Sequence, residues 1–447
     1  MSTPPSLRVR RSGPLRGTCS VPGDKSISHR ALLFGALTDG VVEATGLGRG
    51  GDNLSTAAAL QALGVEVRIE GTEARIAGVG FGGLRAPAAA IDCGNSGTTI
   101  RLLAGILAGR PFEAELFGDA SLTHRPMRRV AMPLRQMGAT IDGRTEPTRP
   151  GDIFPPLRIR GGALQGIRYD LPVASAQLKT ALILAGLQAK GPTVLREPAR
   201  SRDHTERMLR ALGAPISIDD SGAITVTPDG WDGRLRASRI AIPGDLSSAT
   251  FLIVAALTVP GSDVIIENVG LNPTRAGALD ALAAMGADLT VEVTGDAMGE
   301  PVGRVRARAG RLHGARIAGD LALRAIDEIP ALAMAAALAE GETVFADLAE
   351  LRIKESDRIA ALARELGRAG VAVEERPDGL VVAGLAGRTP AGGVVLPEHD
   401  HRIAMAGAIL GLTSTEETQI PAADIATSFP SFAATLSALG ASLETAT

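Results

Sequence analysis

The sequence predicts a mixed helix-and-strand protein made of two pseudo-equivalent halves, each of three similar units. Three observations carry this. A helical stretch closing on Leu-Gly, Met-Gly or Ala-Gly, then alternating apolar residues, recurs six times, with glycines at Gly64, Gly138, Gly213, Gly286, Gly370 and Gly440. The intervals are 74, 75, 73, 84 and 70 residues, too regular for chance in a chain rich in Ala and Leu. VPGDKSISHRALLFGALTDG and IPGDLSSATFLIVAALTVPG match each other, with Pro22 and Pro243 aligned 221 residues apart, three units along. Solenoid repeats are shorter, about 20–50 residues, so a pseudo-symmetric globular domain made twice is the better reading.

Each repeated glycine suits the C′ position of a helix, where a positive φ costs little, and the alternation after it suits a half-buried strand. Between these stretches lie six others, each a polar cluster opening a small-residue helix. In chain order they are GDKSISHRALLFGAL, GNSGTTIRLLAGIL, ASAQLKTALILAGL, GDLSSATFLIVAAL, IDEIPALAMAAAL and DHRIAMAGAILGL. The expected domains are 23–243 and 1–22 plus 244–447, because residues ahead of the first unit are free to complete the other half.

Composition narrows the function. The 447 residues exceed one ordinary core, and 45% hydrophobic with 21% charged residues is globular. Only 2% are aromatic, which argues against a single-strand nucleic-acid binder that needs stacking platforms. A net charge of −3 argues against a general polyanion surface. Cys19 and Cys93 show neither metal spacing nor a disulfide framework, and runs such as FLIVAALTV are too short to span a bilayer. The basic N-terminal stretch is not followed by a signal-type apolar core. A cytoplasmic protein without membrane or nucleic-acid partners is expected.

The polar helix starts point to anions. A helix N-terminus offers unpaired N–H groups and about half a positive charge, and Lys25, Arg30, Arg101, Arg125, Lys179, Arg202, Lys354, Arg358 and Arg402 gather near such starts. Each has a plainer reading: Arg101 and Lys179 can reach solvent along their helices, Arg202 can be a surface residue, Arg128 or Arg129 can replace Arg125, and KESDR can be a charged helix face. Among the carboxylates, Asp327 is expected to cap the apolar helix that follows, with Glu328 the exposed neighbour. Glu355 lies beside Lys354, where a carboxylate can be tuned for proton transfer. His399 and His401 are spaced like a metal pair but lack a third ligand nearby, and CGNSGTT lacks the Walker arrangement, so neither metal nor nucleotide is expected.

Seven motifs in order, PGDKSISHRALL, GNSGTTIRLLAG, RPMRRVAMPL, SAQLKTALILAGL, IDEIPALA, LRIKESDRI and HDHRIAMA, closely resemble the 5-enolpyruvylshikimate-3-phosphate synthase family from about residue 8 onward. The resemblance implies an α/β (α+β) enolpyruvyl transferase fold: two domains of three βαβαββ units, joined by two crossovers near residues 22 and 243, closing on substrate. It implies transfer of the enolpyruvyl group of phosphoenolpyruvate to the 5-hydroxyl of shikimate 3-phosphate, releasing phosphate, without metal or organic cofactor. It places Lys25 between both substrates, and Ser26, Arg30, Ser175, Ala176, Gln177, Arg202, Asp327 and Lys354 on shikimate 3-phosphate. Arg125, Arg358 and Arg402 would clamp phosphoenolpyruvate, with Gln177 beside it and Gly97 allowing close backbone approach. Asp327 would take the hydroxyl proton, and Glu355 or Lys25 would protonate carbon. A cytoplasmic transferase of the shikimate pathway to chorismate and aromatic amino acids follows, acting as a monomer.

The sequence departs from part of the family. Ala426 stands where one branch has a lysine before Thr427-Ser428-Phe429-Pro430, Leu102 stands where others have proline, and SAQLK with RDHTERM follows a bacterial branch. Gly97 leaves room for glyphosate, a phosphoenolpyruvate mimic, so inhibition is expected. The sister enzyme acting on UDP-N-acetylglucosamine usually carries a Cys before the Arg-Pro pair, and GDASLTHRPM has none. A non-catalytic anion-binding scaffold of the same fold would need a broken site, whereas Lys25, Asp327, Glu355 and Arg402 are all present.

Overall fold

The computed structural model of the chain describes residues 6–446; residues 1–5 and 447, assigned above to the second domain, lie outside the described residues. Two compact units emerge. One comprises Gly23–Ile242 with Asp296–Glu300, and the other the segment up to Pro22, Pro243–Gly295 and the segment from Pro301. Pro243 and Asp296–Glu300 thus group differently from the expected ranges.

Six four-stranded sheets repeat one pattern among the described residues, a parallel pair joined to an antiparallel neighbour. Each unit closes on itself. Arg239–Ala241 pairs in parallel with Asp39–Thr45 in one unit, and Arg16–Ser20 with Asp263–Gly270 in the other. Ser6–Val9 lies between Thr418–Pro421 and Leu443–Ala446. The segment before Pro22 therefore supplies strands to the unit formed mostly by the second half of the sequence.

Among the described residues, twelve of the helices alternate between two kinds. The odd-numbered set is α1 (Lys25–Ala36), α3 (Gly97–Leu107), α5 (Ala176–Gly186), α7 (Leu246–Thr258), α9 (Ile329–Leu338) and α11 (His401–Gly411). The even-numbered set is α2 (Gly51–Ala62), α4 (Arg128–Gln136), α6 (His204–Ala211), α8 (Gly277–Ala284), α10 (Arg358–Arg368) and α12 (Phe432–Ala438).

The odd helices are almost wholly buried; α7 is covered from Leu246 to Leu257. Each large apolar side chain hidden this way contributes about 1.5–3 kcal/mol. Their small residues permit near contact of backbones, since a Cβ on Gly105 of α3 would lie 2.3 Å from the Ala181 carbonyl oxygen of α5. The even helices bury one stripe and leave the rest to water. All six close two residues before a repeated glycine, and all six glycines have φ between +80° and +116°. That is the conformation expected of them from the sequence.

Candidate active site

In the first unit the helix starts of α1, α2, α3, α5 and α6 are tied into one cluster. Asp24 starts α1 by accepting the Ile27 amide at 2.9 Å. Lys25 pairs with Asp52 at the start of α2, and Ser26 is half-buried beside it. Arg30, one turn on, is 3% exposed. Its Nε donates to Thr205 Oγ1 at 2.7 Å, Nη2 to Thr180 Oγ1 at 2.9 Å, and Nη1 to the Ser26 carbonyl at 3.0 Å. Burial pulls its pKa down to about 10, with nearby Arg202 pressing the same way, so the guanidinium stays charged at neutral pH.

Ser96 caps α3, accepting the Thr99 amide at 3.0 Å, and Ser175 caps α5, accepting the Leu178 amide at 3.3 Å. Arg101 Nη1 donates to Gln177 Oε1 at 2.8 Å, and Gln177 Nε2 donates to Thr98 Oγ1 at 2.9 Å. These bonds bring Gln177 and Ala176, the opening residues of α5, against the first turn of α3. Arg125 Nη2 donates to Asn95 Oδ1 at 2.7 Å. A Cβ on Gly97 would lie 2.7 Å from Arg101 Nη1 and 3.1 Å from Arg125 Nη1. Both guanidiniums therefore lie over a backbone that only glycine leaves bare. Arg202 is half-buried, and Arg128 and Arg129 are exposed, which leaves Arg125 as the inward arginine.

Lys179 corrects both readings made of it. It neither reaches solvent nor joins the cluster as a free cation: it is 1% exposed, 2.8 Å from Glu197 and 2.7 Å from Glu206. Its α5 position faces the core, where a lone ammonium costs far more than a paired one.

The second unit builds a cluster of its own from α7, α9, α10 and α11. Asp327 Oδ1 lies 3.6 Å from Arg358 Nη1 and 3.8 Å from Lys354 Nζ. Arg358, wholly buried, donates from Nη2 to Glu355 Oε2 at 2.7 Å and from Nε to Asp400 Oδ2 at 2.8 Å. Burial works against its charge, but Glu355 and Asp400 outweigh it and raise the pKa above the ordinary arginine value. Arg402 Nη1 donates to Ser247 Oγ at 3.0 Å and to the Asp327 carbonyl. Asp245 caps α7 through the Ser247 amide at 2.9 Å, and Asp400 caps α11 through the Arg402 amide at 2.9 Å.

Three expectations fail here. Asp327 does not cap α9; Glu328 occupies that position and makes no side-chain cap. Glu328 is not exposed but fully buried, with Ser247 donating to it and Arg275 Nη1 at 3.6 Å. KESDR is not a charged helix face: the chain turns there, and Asp357 caps α10 by accepting the Ala360 amide at 3.1 Å. His399 points outward and His401 is buried, so they form no pair, and no metal-binding group of three or more His, Cys, Asp or Glu occurs among the described residues.

The sequence reading missed Ser247, Arg275 and Asp400. Asp400 and Ser247 had a usable signal: five of the six odd helices begin with an Asp or Ser cap, so a polar residue at or just after each such start is expected. Arg275 had none, since its partners lie 28 and 30 residues away.

No helix of the described residues is long and apolar enough to cross a membrane. The family model of EPSP synthase (3-phosphoshikimate 1-carboxyvinyltransferase) matches residues 9–436. The chain is 52% identical over 421 residues to the 3-phosphoshikimate 1-carboxyvinyltransferase of Gloeobacter violaceus, covering 94% of this chain and 95% of that one. To the protein of that name from Brevibacillus brevis it is 48% identical, covering 95% and 98%. The solved EPSP synthase of Acinetobacter baumannii superposes with a TM-score of 0.88 at 42% identity, covering 99% of this chain and 100% of that one. With motifs, repeated fold and near-complete coverage in agreement, the chain belongs to the EPSP synthase family.

Proposed function

We infer that the chain transfers the enolpyruvyl group of phosphoenolpyruvate to the 5-hydroxyl of shikimate 3-phosphate, releasing phosphate. What carries the reading is the pairing of two arginines, Arg101 and Arg125, over the bare backbone of Gly97 at a helix start. A compact trianion is the ligand such a place suits. Lys25, Arg125, Arg358, Arg402, Gln177 and Gly97 take phosphoenolpyruvate. Lys25, Ser26, Arg30, Ser175, Ala176, Gln177, Arg202, Asp327 and Lys354 take shikimate 3-phosphate.

The reaction needs opposite proton movements. The 5-hydroxyl loses a proton as its oxygen bonds C2 of phosphoenolpyruvate, and C3 gains one. Asp327 is the hydroxyl base, its Oδ1 lying 3.8 Å from Lys354 Nζ and 3.6 Å from Arg358 Nη1. Glu355 or Lys25 supplies the proton to C3. The tetrahedral intermediate then expels phosphate with loss of the C3 proton, and fixed cations stabilise the departing charge without reorganising.

Action as a monomer is part of this proposal. Cys19 and Cys93 are both free, which supports a reducing, cytoplasmic setting. The deciding experiment follows phosphate release with phosphoenolpyruvate and either shikimate 3-phosphate or UDP-N-acetylglucosamine. Release with the first acceptor alone supports the reading; release with the second alone, or with neither, overturns it.

A further inference from the structure

Glu328 touches neither solvent nor any exposed surface. Its Oε1 accepts from the Ser247 hydroxyl and lies 3.6 Å from Arg275 Nη1 and 4.0 Å from Arg402 Nη1. A serine hydroxyl has one hydrogen to give and two lone pairs to receive. Arg402 Nη1 donates to Ser247 Oγ at 3.0 Å, and Arg275 Nη2 donates to it at 2.9 Å. Both lone pairs are thereby used, so the single hydrogen must face an acceptor, and Glu328 is that acceptor.

The charges follow the same pattern. Asp245 pairs with Arg275, which leaves Glu328 as the counter-charge that lets two guanidiniums share one hydroxyl. Arg402 is then held at Nη1 by Ser247 and by the Asp327 carbonyl. Its buried Nε has no partner among the described residues. The Nε and Nη2 edge, the fork that grips a carboxylate or phosphate with two parallel bonds, is left for a ligand.

We propose that Glu328 is a positioning residue for phosphoenolpyruvate binding, acting through the Ser247 hydroxyl to fix the rotation of the Arg402 guanidinium. This rests on the reading of Arg402 as a phosphoenolpyruvate ligand. Glu328→Gln keeps the shape but removes the charge and lets an amide hydrogen compete for the Ser247 oxygen. Ser247→Ala removes the relay and leaves the carboxylate.

The test is steady-state kinetics of Glu328→Gln, Ser247→Ala and the double variant, with both substrates varied and folding checked by circular dichroism. Each single variant should raise the KM for phosphoenolpyruvate about tenfold or more while the KM for shikimate 3-phosphate moves less than about twofold, as befits a charge-assisted bond lost on one ligand only. The double variant should be no worse than the worse single, because both act through one chain of bonds. An unchanged KM for phosphoenolpyruvate in a folded variant overturns the proposal, as does an equal rise in both KM values, which marks a merely structural role. If Glu328→Gln does not fold, Ser247→Ala decides alone. Absence of turnover in the unaltered protein refutes instead the underlying reading.

Discussion

Asp400 and Arg358 form a buried two-point ion pair, with Nε to Oδ2 at 2.8 Å and Nη2 to Oδ1 at 3.3 Å. The same carboxylate accepts the backbone amide of Arg402. One side chain thus sets the position of two cations, one through its guanidinium and one through the start of its helix. Burial opposes the Asp400 charge, but Arg358 more than compensates and lowers its pKa.

Asp400→Asn should therefore act on binding and stability together. The substitution removes one of the two carboxylates hydrogen-bonded to buried Arg358 and leaves Glu355 as its counter-charge, so the loss should stay at or below the about 3–5 kcal/mol of a buried pair broken outright. Denaturant unfolding should show that loss, and the KM for phosphoenolpyruvate should rise. An unfolding midpoint equal to that of the unaltered protein would show that the pair organises nothing.

Asp327→Asn should separate chemistry from binding. The amide keeps the shape between Lys354 and Arg358 but cannot accept the hydroxyl proton. Turnover should fall about 10²–10⁴-fold, the usual worth of a positioned general base. Calorimetric binding of shikimate 3-phosphate should weaken far less. Undiminished kcat removes Asp327 from the base role.

Gly97→Ala should fold, because the atoms nearest its new methyl are the ends of two flexible arginines rather than backbone. The methyl must displace Arg101 or Arg125, so the KM for phosphoenolpyruvate should rise. Glyphosate should inhibit the unaltered protein competitively against phosphoenolpyruvate and inhibit the variant less. Equal inhibition of both proteins removes Gly97 from that part of the site.

His29 makes stability acid-sensitive. It is fully buried in α1, with Nδ1 2.7 Å from Thr56 Oγ1, and burial lowers its pKa from 6.5 to about 3. Between these values the unfolded chain binds a proton that the folded one refuses. Its contribution is thus complete above pH 6.5 and declines on acidification, by about 1.4 kcal/mol per pH unit at most. Urea unfolding at pH 6.5 and pH 5 should show the decline, and His29→Asn should reduce it. The same slope in both proteins would assign the acid sensitivity to carboxylates alone.

The legible parts of the fold were those written in local chemistry. A glycine that must take positive φ, a serine or aspartate that must cap, and a run of small apolar residues each announce themselves within a few positions. Six recurrences of that grammar gave the units and their helices. The same logic located Lys25, Gly97 and Ser175, which lie at or beside helix starts.

Burial was a different matter. Lys179, Glu328 and Asp400 are charged residues that neighbouring sequence would leave in water, yet all three are at most 1% exposed. Their partners come from other elements: Glu197 and Glu206 for Lys179, Ser247 and Arg275 for Glu328, Arg358 for Asp400. Each of these three charges is buried together with partners 18 to 81 residues away in the sequence. The amino-acid order determined the repeated units, the helix starts and the family. Which carboxylate meets which cation, and hence which side chains are held still for chemistry, was decided by tertiary packing, because an ion pair depends on distance in space and spacing along the chain does not encode it.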